Sequence, residues 1–353
     1  EGGSVTIAPL SNDFDPSGGI LVLQSVKTPP DSGVTVTVVD HSLLQISAAS
    51  TVPANLTVEY TVTNGTSSAT GKVAIVPVTQ SQPQPPVVTN DTAVVRAGDV
   101  VTASVLDNDS SPAGLNLSVD SQVSLVGDEL GTAWVSENTV RFRAGNQPGR
   151  TSYAYTAKDD QGQTASGILT VEVRAQDAEH NSAPSPRNLE ARTLAGSATN
   201  ITVPLDGIDP DGDSVSLVGL NQAPSLGSVE INSSWLTYTP SEGATGTDTF
   251  TYVVEDRFGA QATGTVRVGV AQASPLNVAP VATDDLVVAK PGRTVAVDVL
   301  SNDLDTDGDS LSLEGDPVSS DPSLGVSTRA GRLVLDLPEK EGNHSVTYTD
   351  RKS

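Results

Sequence analysis

The chain has 353 residues, with 43 acidic against 19 basic side chains and a formal net charge of −24. Such a surface repels nucleic acid and anionic lipid and attracts cations, so partners that need a basic patch are excluded. The absence of cysteine excludes disulfides, thiolate metal sites and cysteine nucleophiles. No apolar run approaches the roughly 20 residues of a membrane helix, so no membrane insertion is expected in this segment.

Length predicts two to four domains. Without an initiator Met or a signal peptide, the chain reads as an internal piece of something longer. In chain order, alternating runs appear at VTVTVV (34–39), LTVEYTV (56–62), ILTVEV (168–173), DTFTYVV (248–254), TVRVGV (265–270) and RLVLDL (332–337). Period-2 alternation broken by Gly, Pro, Asn and Asp predicts an all-β sandwich class.

The runs belong to a repeat. PLSND (9–13), VLDND (105–109) and VLSND (299–303) align, with Asn12 and Asn108 separated by 96 residues. A fourth version, PLDGIDPDGDSVSL (204–217), sets Asp209 against Asp305, again 96 residues apart. Upstream, PPVVTND (85–91) matches APVATDD (279–285), and downstream YAYTAKDDQG (153–162) matches FTYVVEDRFG (250–259). Four copies are expected, at 1–79, 84–174, 183–271 and 279–353, separated by Pro-, Gln-, Ala- and Ser-rich linkers. Each complete copy is the size of an immunoglobulin-like sandwich. Copy 1 lacks the segment matching PVATDD, which is expected to be the first strand, and copy 4 lacks the hairpin and last strand. A cut boundary accounts for both ends, and donor-strand complementation between chains is the sharper alternative.

The combination APVATDD…G…VDVLSNDLDTDGDSLSL…Tyr-x-Tyr resembles the tandem bacterial Ig-like and cadherin-like repeats of large secreted or surface-attached proteins, including adhesins. The resemblance covers essentially the whole chain. It implies an array of β-sandwiches outside the bacterial cytoplasm, often calcium-dependent, serving as stalk, spacer or adhesive surface.

The acidic loop of copy 4 fits D-x-D-x-D-G-x5-E from Asp303 to Glu314, the pattern of the EF-hand calcium loop. Its flanks, TVAVDVL and SLSLEG, alternate as strands, and Val218 replaces the closing glutamate in copy 3, so an EF-hand is rejected. The loop still offers hard oxygen ligands in a tight turn, as calcium requires. Candidate ligands are Asn302, Asp303, Asp305, Asp307 and Asp309 in copy 4, and Asp206, Asp209, Asp211 and Asp213 in copy 3. Asp284 and Asp285 are possible junction ligands, and Asp256 or Asp159 in the later hairpins are further contributors. Copy 1 replaces two carboxylates with Ser17 and Gly19, and copy 2 continues as SSPAG. Calcium binding is therefore expected to weaken in the order copy 4, copy 3, copy 1, copy 2. The plainer alternative is an Asx turn whose carboxylates only accept backbone hydrogen bonds.

Catalytic constellations are not expected. His41, His180 and His344 share no repeat position, and neither a nucleophile elbow nor a phosphate-cradling loop occurs. The tyrosines fall in alternating strands, where core packing is the default, while Trp134 matches Glu230 and is expected to face solvent. The lysines share no repeat position, which argues against isopeptide cross-links. The sequence thus predicts a non-catalytic structural or adhesive segment of four rod-forming modules spanning on the order of 150 Å, with calcium limiting linker flexibility. The alternatives are a glycan- or protein-binding adhesive module, or an accessory region of a secreted enzyme.

Overall fold

The computed structural model describes residues 4–29, 32–48, 56–76, 84–273, 280, 282, 284–300, 303, 305, 311–329 and 331–352. Apart from a 3-10 turn at Pro9–Ser11, all described regular structure is strand, so the all-β expectation holds. Copy 1 holds β1 (Ser4–Ile7), β2 (Val22–Lys27), β3 (Val34–Val39), β4 (Leu43–Ala48), β5 (Leu56–Thr63) and β6 (Ser68–Ile75). Copy 2 holds β7 (Asp91–Arg96), β8 (Val100–Ala103), β9 (Leu117–Val119), β10 (Ser124–Leu125), β11 (Gly131–Ser136), β12 (Thr139–Ala144), β13 (Gly149–Asp159) and β14 (Thr164–Arg174). Copy 3 holds β15 (Leu189–Leu194), β16 (Thr199–Thr202), β17 (Val215–Gln222), β18 (Gly227–Ile231), β19 (Trp235–Pro240), β20 (Gly246–Asp256) and β21 (Gln261–Ala271). Copy 4 holds β22 (Thr294–Val297), β23 (Leu311–Ser319), β24 (Gly325–Arg329), β25 (Arg332–Asp336) and β26 (Val346–Lys352).

Copy 3 shows the plan most fully. One sheet runs β15-β21-β20-β17 and the facing sheet β16-β19-β18. β20 alternates so that Asp248, Phe250, Tyr252, Val254 and Asp256 point inward. β21 answers with Val266, Val268 and Val270, and Leu236 and Tyr238 close the core from the other sheet. Burial of such side chains contributes roughly 1.5–3 kcal/mol each, which explains why the alternation of the sequence sets the pairing register. Tyr60, Tyr153 and Tyr155 are buried in the same way in copies 1 and 2. Trp134, expected to face solvent, is half-buried in β11.

The first strand is not where the sequence placed it. In copy 2 the PPVVTND segment contributes one isolated bridge, Val87 to Ser110. The strand is the next segment, β7, which pairs parallel to β14; β15 pairs parallel to β21 in the same manner. In copy 4 the corresponding residues form no strand, and Leu286 and Val288 are 91% exposed.

The copies also contact one another out of chain order. Copy 3 rests on copy 2, with the Arg96 amide donating to the Gly212 carbonyl at 2.8 Å. Copy 1 rests on copy 3, where Val22, Leu194 and Ala271 form a small buried cluster. These copies are therefore not strung end to end in sequence order, which corrects the simple rod expected above.

Candidate metal centre at the junction of copies 2 and 3

The loop between β16 and β17 is tight because Gly212 adopts φ +81°, a conformation that glycine alone takes without strain. The turn brings the carboxylates of Asp209, Asp211 and Asp213 together, with one oxygen of each within 4.8 Å of the others. Asp209 and Asp213 are only 5% and 6% exposed. Asp209 Oδ1 accepts the amides of Asp211 at 2.9 Å and Asp213 at 3.1 Å, which is Asx-turn chemistry. That chemistry leaves Asp209 Oδ2 and Asp213 Oδ1 buried without a hydrogen-bond partner.

Three further pieces of chain reach the cluster. The hairpin of β20 and β21 supplies buried Asp256, whose Oδ1 accepts the amides of Phe258 and Ala260 at 2.8 and 2.9 Å. The linker supplies Asn181, whose Nδ2 donates to Asp256 Oδ2 at 2.7 Å and whose Oδ1 is a third buried oxygen without a partner. Copy 2 supplies buried Arg96: its Nε lies 3.2 Å from Asp213 Oδ2 and its Nη2 lies 3.7 Å from Asp211 Oδ2. Arg96 Nη1 donates to the Ala175 carbonyl at 2.7 Å, which aims the guanidinium.

Arg174 adds a second guanidinium, its Nη1 3.8 Å from Asp211 Oδ1, but two cations do not balance the carboxylates of Asp209, Asp211, Asp213 and Asp256. Two carboxylates 4.8 Å apart repel by about 3.5 kcal/mol at an effective dielectric of about 20. Burial, reinforced by the neighbouring Asp256 and by Asp209 or Asp211, raises the carboxyls of Asp209 and Asp213 above the ordinary range. The partnerless oxygens of Asp209, Asp213 and Asn181 are hard ligands of the type that a calcium ion takes. The cluster could hold an ion, and its donor set fits one.

Copies 1 and 2 serve as internal controls. In copy 1, Asp15 stands where Asp209 stands, and Asn64, four residues after the hairpin tyrosine, stands where Asp256 stands. Asp15 Oδ2 accepts Ser17 Oγ at 2.6 Å, Asn64 Nδ2 at 3.0 Å and the Gly19 amide at 3.0 Å. These bonds, led by the Ser17 hydroxyl, lower its carboxyl to about 2. An amide and a hydroxyl here satisfy the aspartate, whereas Asp209 Oδ2 in copy 3 is buried without a hydrogen-bond partner. Copy 2 has Ser111 in place of Asp209 and ties Asn108 to Asp91 at 3.0 Å.

The remaining expected ligands divide. Asp206 is exposed, outside the cluster, although it lines the same cleft as Asp209 and Asp213. In copy 4, Asp303 and Asp305 are buried, whereas Asn302, Asp307 and Asp309 lie outside the described residues. Tyr348 donates its hydroxyl to Asp285 Oδ2 at 3.1 Å and Asp303 Oδ2 at 3.2 Å, so the two carboxylates share one phenol. Asp284 is exposed. Copy 2 repeats this arrangement, with Tyr155 donating to Asp91 Oδ2 at 2.8 Å. Arg96 and Asn181 escaped the sequence reading. Arg96 matches Leu194 and Lys290 in the other copies, so repeat alignment does not single it out, and Asn181 sits in an unaligned linker.

The profile of the bacterial Ig domain family matches residues 1–76, 83–172, 181–269 and 277–352, so the chain belongs to that family, in four tandem copies. No curated protein matches it. Among solved structures, the chain is similar to Sidekick-1 immunoglobulin domains 1–4 at 14% identity and TM-score 0.33, covering 100% of this chain and 94% of that one. It is similar to Drosophila N-cadherin EC1-4 at 14% identity and TM-score 0.24, covering 96% and 90%. Similarity to the endo-fucoidan hydrolase MfFcnA4 from glycoside hydrolase family 107 has 16% identity and TM-score 0.26, covering 78% of this chain. The chain spans 42% of that hydrolase. No described helix is long and apolar enough to cross a membrane.

Proposed function

We propose that this chain is a non-catalytic structural segment of a large secreted or surface-attached bacterial protein, in which calcium at the copy 3 loop locks the junction with copy 2. The observation that carries this reading is the pair of buried, partnerless oxygens, Asp209 Oδ2 and Asp213 Oδ1, in a cluster that Arg96 of copy 2 closes from one side. Family membership supports the location, because bacterial Ig domains are typical of secreted and surface proteins, and typically non-catalytic.

Calcium suits the donors better than its competitors. Magnesium demands near-ideal octahedral geometry and keeps its waters, and zinc prefers nitrogen and sulfur ligands. The loop, hairpin and linker present oxygens from separate segments, as a larger and more flexible coordination sphere allows. At about 1 mM calcium and a dissociation constant of about 0.1 mM, binding contributes roughly 1.4 kcal/mol, enough to stiffen a junction but not to drive folding. Calorimetric titration of chelator-treated chain with calcium tests the reading. A dissociation constant in the range of about 10⁻⁴ to 10⁻³ M is expected, with the number of bound ions falling by one in Asp209→Asn with Asp213→Asn. Absence of binding at millimolar calcium overturns it.

A further inference from the structure

The copy 1 contact with copy 3 uses the same parts as the copy 3 contact with copy 2. In each, the turn loop of one copy sits on the corner where the first and last strands of another copy end. At the copy 2 corner these ends are Arg96 and Arg174; at the copy 3 corner the aligned residues are Leu194 and Ala271. The shared geometry extends to the backbone, since the Ala97 amide donates to the Arg174 carbonyl and the Ala195 amide to the Ala271 carbonyl, both at 2.8 Å.

The two corners differ in chemistry, and the loops they hold differ to match. The Arg96 and Arg174 corner holds a carboxylate loop, with Arg174 Nη1 donating to the Pro210 carbonyl at 2.7 Å and Arg96 paired with Asp213. The Leu194 and Ala271 corner holds the copy 1 loop, in which Ser17 and Gly19 replace two aspartates and Ile20 and Val22 follow. Val22 packs on Leu194 and Ala271, and all three are buried. A Cβ on Gly269 would meet the Ile20 and Val22 methyls at 2.8 Å, so a larger residue there would push copy 1 away. Arg192 Nε donates to the Leu21 carbonyl at 2.7 Å, Arg267 to the Gly18 carbonyl, and the Ile20 amide to Thr247 Oγ1 at 2.8 Å. Here the arginines read backbone carbonyls of the copy 1 loop, and the carboxylate they pair with is Glu190 of copy 3 itself, 3.4 Å from Arg192 Nη2 and 3.7 Å from Arg267 Nη1.

We propose that the copy 3 corner is a socket selective for a turn loop poor in carboxylates, that copy 1 of the same chain is its occupant, and that the residue ending the first strand decides which loop a corner accepts. A loop with buried aspartates set against Leu194 would lose its counter-cation, and desolvating an unpaired carboxylate is costly. The next copy in sequence, copy 4, keeps Asp303 and Asp305 and is mismatched to this corner. The exchanged loop, Arg96 against Ile20 and Val22, would strand a buried guanidinium. The chain is thereby closed through a contact between copies that are not neighbours in sequence.

The chain has no cysteine, which makes the test clean. Gln24 Nε2 donates to the Gln272 carbonyl at 2.8 Å, at the exposed rim of the contact. In the full chain, Gln24→Cys with Gln272→Cys, treated with a short bis-maleimide, should give an intrachain link within the monomer. The rate should be at least tenfold above that of a control pair, Gln24→Cys with Gln176→Cys, which sits on the copy 2 corner. Adding Leu194→Arg, the residue that copy 2 already carries at this position, should reduce the rate to that of the control. If that variant fails to fold by circular dichroism, Arg192→Ala with Arg267→Ala takes its place, with the same expected drop. Linking at the control rate, a covalent dimer as the main product, or a rate insensitive to both sets of substitutions would overturn the proposal.

Discussion

Arg96 at the end of β7 and Asp213 in the loop before β17 lie 117 positions apart in sequence, yet their Nε and Oδ2 atoms are 3.2 Å apart and both residues are buried. The pair joins two copies across a linker, and the surrounding aspartates exceed it in charge. Removing the guanidinium leaves buried Asp213 without the cation that pairs with it, and leaves Asp211 with Arg174 alone. Arg96→Ala is therefore expected to cost about 3 kcal/mol in chelator, the ordinary consequence of breaking a buried pair from one side. Calcium should recover part of that loss. Denaturant unfolding followed through Trp134 in copy 2 and Trp235 in copy 3 measures both.

Asp209→Asn, which leaves the Arg96–Asp213 pair intact, should act in opposite directions with and without the ion. In chelator this variant should melt higher than the parent, because mutual repulsion of buried carboxylates is relieved. In millimolar calcium the order should invert. Asp15→Asn provides the contrast, since its oxygens are occupied by Ser17, Gly19 and Asn64. It should leave the calcium response unchanged while lowering stability in both conditions. Melting curves of the three proteins with and without calcium decide the matter.

Asp248 is fully buried in β20 and accepts five hydrogen bonds. Its donors are the Ser225 amide and hydroxyl, the Leu226 amide, the Tyr238 hydroxyl at 2.9 Å and the Thr249 amide. Asp248→Ala strands these donors in the core and should cost about 3 kcal/mol or more. The aligned residue in copy 2 is Thr151, so the effect should be confined to the Trp235 signal.

The same residues set the acid limb. Burial opposes ionisation of Asp248, but the hydrogen bonds from Ser225, Leu226 and Tyr238 outweigh it and lower its carboxyl. Asp15 is lowered to about 2, chiefly by the Ser17 hydroxyl. A lowered folded value means that the unfolded chain binds protons first as pH falls. The stabilisation is therefore complete above the unfolded value near about 3.9 and is lost as pH drops toward about 2. Acid unfolding of Asp15→Asn should show a shallower fall over that window than the parent.

Gly212 tests the docking of the loop itself. Its φ of +81° strains any side chain, and a Cβ would meet the Val95 backbone at 2.7 Å. Gly212→Ala should therefore cost upwards of about 1 kcal/mol and loosen the copy 2 and copy 3 contact. Protease cleavage within the 175–186 linker should accelerate.

The sequence by itself determined the class of fold, the four copies and the family, because alternation and a spacing near 96 residues are local or periodic signals. It also placed Asp209, Asp211 and Asp213 in one turn, since Asp and Gly at that spacing bend the backbone in a known way. Other features depended on partners distant along the chain. The first strand was misplaced because β7 and β15 are defined by parallel pairing with β14 and β21, which their own composition does not announce. Asp206 was grouped with the loop by proximity in sequence, but the turn directs it to solvent. Whether an aspartate needs a cation was not legible in its own loop. In copy 1 a hydroxyl two residues on and an amide 49 residues away complete Asp15, whereas in copy 3 a carboxylate replaces that amide and an arginine arrives from another copy. Burial and hydrogen-bond completion belong to the assembled molecule, and at this junction they decide which acidic turn remains short of positive charge.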